Sequence, residues 1–186
     1  MVLVELADVL DMPLNTALDN ALKNFDSGIN EYHTSSNKQQ SAAWWNLRKY
    51  ISDAQKIEGI SIKHDVSVPI TLVPAFIEQA DSALKQHYPG IRIVAFGHIG
   101  DGNIHYNVSH ASPDKNAAFL AQKEDINRIV YDIVNQLGGS ISAEHGLGQL
   151  KRNEIHRYKN ALELELMANI KKTLDPHSMM NPGKVF

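Results

Sequence analysis

Two histidines bracket a glycine-rich tetrapeptide in "FGHIGDGNIHYNV", Phe96 to Val108. Asp101-Gly102 is a favoured dipeptide for a two-residue type I′ hairpin turn, because both central positions need a positive φ that Asp tolerates and Gly adopts freely. Such a turn would set Ile99 opposite Ile104 and His98 opposite His105. Opposed residues leave the same sheet face with Cβ atoms ~5 Å apart, a separation from which two imidazole nitrogens can converge on one ion. Asn107 would reach that face opposite Phe96. Two such imidazoles resist double protonation, a penalty that a bound cation removes.

A third ligand must come from elsewhere, since Asp101 belongs to the turn. The best candidate is Glu144 in "SAEHGLG", with His145 beside it. In a regular strand those two side chains point to opposite faces; both can serve one site only in an irregular segment, which the glycines permit. Two His and one carboxylate leave open positions on a metal, the pattern of a catalytic rather than a closed structural centre. Zn²⁺ is the first choice, and the same donors suit Fe(II) or Mn²⁺. A self-sufficient mononuclear metal enzyme would need no more than this.

The elements that must position these residues are legible in the apolar spacing. A first strand is expected in "MVLVEL". Pro13 then opens a helix carrying Leu14, Ala17, Leu18, Ala21, Leu22 and Phe25, stopped by Gly28. The polar tract Asn30 to Ser41 is expected to be a loop before a second helix from Ser41, its cap, to about Gln55, with Trp44, Leu47, Ile51 and Ala54 on one face. "ISIKHDVSVPI" alternates as a half-buried strand does, with Lys63 inside it. Thr71 or a neighbour caps a third helix with Val73, Phe76, Ile77, Ala80 and Leu84 in line. Two strands flank "GDG". The strongest helical period follows, from about Lys115 to Leu137, through Ile126, Ile129, Val130, Ile133, Val134 and Leu137, and a last helix spans Ala161 to Leu174. Hairpins outnumber parallel crossovers, so the expected fold is α+β, an antiparallel sheet with helices on one face.

Composition narrows the function classes. With 43% hydrophobic and 21% charged residues, the chain reads as an ordinary globular protein rather than a disordered or membrane-spanning one. No apolar run is long enough to form a transmembrane segment. A net charge of -3 lacks the basic excess of a nucleic-acid binder, so no nucleic acid is expected as partner. The absence of cysteine fits a reducing compartment, and a cytoplasmic location is expected. The 186 residues suit one domain, 1–186, and a first strand without a leader suggests a fragment of a longer protein.

Three blocks taken together, "FGHIGDGNIHYNV", "SISAEHGLGQLKR" and "DPHSMMNPGKVF", resemble the C-terminal substrate and cap domain of FAD-linked oxidases of the vanillyl-alcohol oxidase type. Within it they resemble the D-2-hydroxyacid dehydrogenase branch that includes D-lactate and D-2-hydroxyglutarate dehydrogenases and the glycolate oxidase flavin subunit. "VLVELAD", "WWNLRKYI" and "SIKHDVSVPI" extend the similarity over essentially the whole chain. The resemblance implies a ferredoxin-like cap domain, a divalent metal held by His98, His105 and Glu144, and His145 as the base at the substrate. It assigns Arg48, Ser52 and Lys63 to the substrate carboxylate, Asn107 to a polar position beside metal and substrate, and Asn181 to the tail that returns toward the flavin. The implied reaction is oxidation of a 2-hydroxy acid to a 2-oxo acid with hydride transfer to FAD. FAD is expected on an N-terminal domain outside these residues, so the chain alone is expected to be inactive. The partners implied are a small 2-hydroxy acid of the D-lactate or D-2-hydroxyglutarate kind, the FAD domain of the parent chain and a second copy in a homodimer; the parent enzyme's association with a membrane is left open. A non-catalytic binding module is the remaining alternative.

Overall fold

The computed structural model describes residues 1–7, 13–24, 28–29 and 31–185. The chain divides into two compact units, Met1–Glu58 and Gly59–Phe186, where the sequence suggested one.

In the first unit, residues 1–7 carry no strand, and the rest of the expected opening strand lies outside the described residues. An extended segment becomes a strand only when a ladder partner satisfies its backbone, and none stands beside it among the described residues. Helix α1 spans Leu14–Lys23; Phe25, expected on its apolar face, lies outside the described residues. The second expected helix is two, α2 at Lys38–Lys49 and α3 at Ile51–Glu58, meeting at Tyr50. Its cap is Asn37 rather than Ser41: the Asn37 side chain accepts from the Gln40 backbone N–H at 2.9 Å, which draws the helix start back into the polar tract. Arg48 lies in the last turn of α2 and Ser52 in the first turn of α3.

The second unit is the α+β body. Strands β1 (Ser61–Ser67), β2 (Ile91–His98) and β3 (Asn103–His110) form an antiparallel sheet in the order β1-β3-β2. Helix α4 (Val73–His87), entered through a 3₁₀ turn at Ile70–Leu72, and helix α6 (Lys123–Gln136) pack against each other, α4 also against β2 and α6 against β1. No Thr71 side-chain bond caps α4; Leu72 is the residue before it. The expected long helix is interrupted at Gln122, whose N–H turns back to the Phe119 carbonyl at 3.0 Å, separating a short α5 (Asn116–Ala121) from α6. The acidic pair Glu124 and Asp125 then sits in the first turn of α6, where it complements the positive end of the helix dipole. A short α7 (Ile155–Tyr158) precedes α8 (Ala161–Leu174), which begins with a reciprocal capping box between Asn160 and Glu163.

Register divides the sheet into two chemically different faces. Ile62, His64 and Val66 of β1 oppose Val108, Tyr106 and Ile104 of β3. All six are buried, with Phe76, Ala80 and Leu84 of α4 and Ile126, Val130 and Val134 of α6 in the same core. Complete burial of one such apolar side chain contributes about 1.5–3 kcal/mol, which makes this face the stabilising one. The opposite face carries Lys63, Asp65, Asn103, His105, Asn107 and His98, beside Val94 and Phe96.

Candidate functional site

The hairpin register differs from the one the sequence suggested. His98 pairs with Asn103, and His105 pairs with Phe96 on one side and Asp65 on the other. The connection is a four-residue loop, Ile99–Gly102, rather than a two-residue type I′ turn. Asp101 explains it: its N–H bonds the His98 carbonyl at 3.2 Å, and its Oδ1 accepts from Asn103 N at 3.0 Å, a side-chain-closed turn that competes with the tight hairpin. Gly102 sits at φ +74, and a Cβ there would lie 2.0 Å from the Val68 carbonyl oxygen, so its lack of a side chain serves close packing as well as the turn. A shift of two positions leaves strand faces unchanged. His98 and His105 therefore share a face but are staggered, with His98 exposed at the turn end and His105 in the centre of the sheet. Asn107 is on the same face, opposite Val94 and Lys63 rather than Phe96.

Glu144 and His145 reach this face by an irregular segment, as their glycine neighbours permit. Ser67 and Ser140 exchange backbone hydrogen bonds at 2.8 and 3.0 Å, and Ala143 N donates to the Asp65 carbonyl at 3.2 Å, so the segment runs beside the free edge of β1. The approach depends on Gly139, where a Cβ would lie 2.2 Å from the Ser67 carbonyl oxygen. The chain then turns over the edge, and the backbone N–H groups of Glu144 and His145 both donate to Asp65 Oδ2, at 3.1 and 2.8 Å.

Four side chains converge there. His105 Nε2 lies 3.0 Å from Glu144 Oε1, and His145 Nε2 lies 3.7 Å from the same oxygen. The Nδ1 edges of both rings face Asp65, His105 at 3.8 Å from Oδ1 and His145 at 3.2 Å from Oδ2. The two rings stack with centroids 5.7 Å apart, and Phe96 covers His105 at 5.1 Å. Asp65 is only 6% exposed, whereas the Glu144 and His145 side chains are 45% and 67% exposed, so the cluster has a buried base and an open rim.

Asp65 is the residue the sequence reading missed. A signal was there: Asp is disfavoured inside strands, yet "KHDV" places one amid an alternating pattern. With His105 and Glu144 it offers ligand atoms that all lie within 4.8 Å of one another. Its Oδ1 is buried without a hydrogen-bond partner, and one nitrogen and two carboxylate donors suit Zn²⁺ or a similar divalent ion. These three residues fit a metal; His98, exposed at the turn end, is not among them.

The remaining expected residues are placed as follows. Lys63 is exposed on the polar face, opposite Asn107. Arg48 and Ser52 belong to the first unit. Asn181, in the left-handed region at φ 47, lies in a tail held to the loop after His145 by a Val185 N to Gly148 O bond of 2.8 Å and by Lys184 Nζ to Gln149 Oε1 at 2.8 Å. With Gly148, Met167, Ile170 and Lys171 it lines an open groove of about 540 Å³.

The family profile for FAD linked oxidases, C-terminal domain, matches residues 2–185, and the chain belongs to that family. D-2-hydroxyglutarate dehydrogenase of Stutzerimonas stutzeri is 40% identical over 152 residues, which are 82% of this chain and 32% of that protein. Mitochondrial D-2-hydroxyglutarate dehydrogenase of Danio rerio is 39% identical over 76% of this chain and 25% of its own length. A putative mitochondrial D-lactate dehydrogenase of Schizosaccharomyces pombe is 32% identical over 75% of this chain and 27% of its length. The chain spans about a third of the first of these relatives and a quarter of the others. Among the described residues, no helix is long and apolar enough to cross a membrane.

Proposed function

We propose that this chain is the substrate- and metal-binding part of a flavin-dependent D-2-hydroxyacid dehydrogenase, oxidising a D-2-hydroxy acid of the hydroxyglutarate or lactate kind. The observation that carries the reading is the convergence of His105 and His145 on Glu144 Oε1, on the sheet face shared with Lys63 and Asn107. His98, His105 and Glu144 would hold the metal, with His98 supplied by the neighbouring strand. Bound there, a divalent ion supplies positive charge that stabilises a substrate oxygen as it loses its proton. FAD, carried by the N-terminal part of the parent enzyme with Asn181 at its edge, supplies the acceptor for the hydride.

The chain's own residues do the rest. His145, with Nδ1 directed at Asp65 and Nε2 toward the open rim, takes the hydroxyl proton at Nε2. Lys63 pairs with the substrate carboxylate, and Asn107, buried at the sheet centre, orients the substrate by hydrogen bonding. Fixing the carboxylate and the hydroxyl together leaves the α-hydrogen one direction of departure.

Metal analysis of the parent enzyme tests the assignment. One divalent ion per chain is expected in the wild type, with His105→Ala and Glu144→Gln losing it and His98→Ala weakening it by about 10–100-fold. Chelation should remove activity, and the same metal should restore it. Full metal content in all three variants would overturn the assignment.

A further inference from the structure

We propose that Asp65 is the positioning residue of this site, acting on His145 rather than serving as a metal ligand; this rests on the dehydrogenase reading above. A single oxygen, Oδ2, accepts from the backbone N–H of Glu144 at 3.1 Å and of His145 at 2.8 Å, and meets His145 Nδ1 at 3.2 Å. Two backbone donors and an imidazole contact on one oxygen of a carboxylate that is 6% exposed make an anchor, and it is placed at the residue pair where the loop leaves the edge of β1. The main chain of the loop and the ring of its histidine are thus fixed from the same atom. With the Nδ1 edge held inward, Nε2 is the edge that faces Glu144 and the open rim, where a substrate would enter.

The geometry argues against a ligand role. Asp65 is beneath the rings, reaching His105 through Nδ1, while Glu144 meets His105 at Nε2 on the exposed side. An ion at His105 Nε2 would face the 45% exposed Glu144 side chain and leave Asp65 on the Nδ1 side of both rings.

The two roles predict different responses in the full-length flavoenzyme. Asp65→Ala should lower kcat for a D-2-hydroxy acid by about 10²-fold or more, the scale of a lost general base, with KM changed by no more than about threefold. Asp65→Asn keeps an oxygen able to take all three contacts of Oδ2, so it should recover kcat to within about tenfold of wild type. Both variants should retain one metal per chain at saturating Zn²⁺. In a His145→Ala background, Asp65→Ala should cost less than about threefold more, because residues acting as a unit are not additive. Metal lost from Asp65→Asn, a variant that preserves the backbone bonds, would make Asp65 a ligand and overturn the proposal even if Asp65→Ala does not fold. An equal penalty in the wild-type and His145→Ala backgrounds would reduce it to scaffolding. A wild-type enzyme whose flavin no D-2-hydroxy acid reduces would instead refute the dehydrogenase reading.

Discussion

His64 and Asp65 are chain neighbours on opposite faces of β1, and both are buried polar residues. His64 points into the core, where Nδ1 donates to the Tyr106 carbonyl at 2.7 Å and Nε2 meets the Asn127 side-chain amide at 2.9 Å. Burial pushes its pKa down from 6.5 to about 4, against the smaller opposing effects of those two hydrogen bonds. Between those values the unfolded chain binds a proton that the folded chain does not. Stability from this group is therefore full above pH 6.5 and is lost as pH falls toward 4, by of order 3 kcal/mol. Denaturant unfolding followed across that window should show the decline, and His64→Asn should flatten it; an unchanged slope in the variant would assign the acid sensitivity elsewhere. Asp65 answers the same problem of burial differently, by collecting the backbone N–H groups of Glu144 and His145.

At the level of elements, the site is made by an edge. Among the described residues β3 is the one strand beside β1, and the loop through Ser140 to His145 runs along its other side. Gly139 admits that contact, and any Cβ would collide with the Ser67 carbonyl oxygen 2.2 Å away. Gly139→Ala should destabilise the protein by about 1–3 kcal/mol, as overpacking does, and should lower kcat more than it raises KM because Glu144 and His145 move together. Thermal melting and steady-state kinetics measure both; wild-type kcat in a destabilised variant would separate the loop from the chemistry. The helices α4 and α6 were legible in the sequence because one apolar stripe meets one core, as Phe76, Ala80, Ile126 and Val130 show. The two polar ends of the problem were less so. "GDG" fits both a two-residue turn and the four-residue loop, and what selects between them is the Asp101 bond to Asn103 N together with the packing of Gly102 on Val68, a contact 34 residues away by subtraction of their numbers. The convergence of His105, Glu144 and His145 was legible from motifs. Asp65 was not, because its partners are backbone N–H groups 79 and 80 residues further on.

For the whole molecule, the division of labour follows from what the chain contains. The second unit has its own core on one sheet face and a polar, ligand-bearing array on the other, so stability and chemistry are assigned to opposite sides of three strands. The chain spans 32% of the Stutzerimonas relative, and the proposed flavin-binding part belongs to the remaining length of the parent enzyme. The proposed reaction has a D-2-hydroxy acid lose its proton at the rim around Glu144 and His145 as a flavin takes its hydride. Anaerobic rapid mixing of the full-length enzyme with D-2-hydroxyglutarate or D-lactate, followed by the loss of oxidised-flavin absorbance, tests it directly. The wild type should be bleached in a single turnover, and His145→Ala should be slowed by about 10²–10⁴-fold at saturating substrate. Flavin reduction at the wild-type rate in His145→Ala, with the metal still in place, would contradict it.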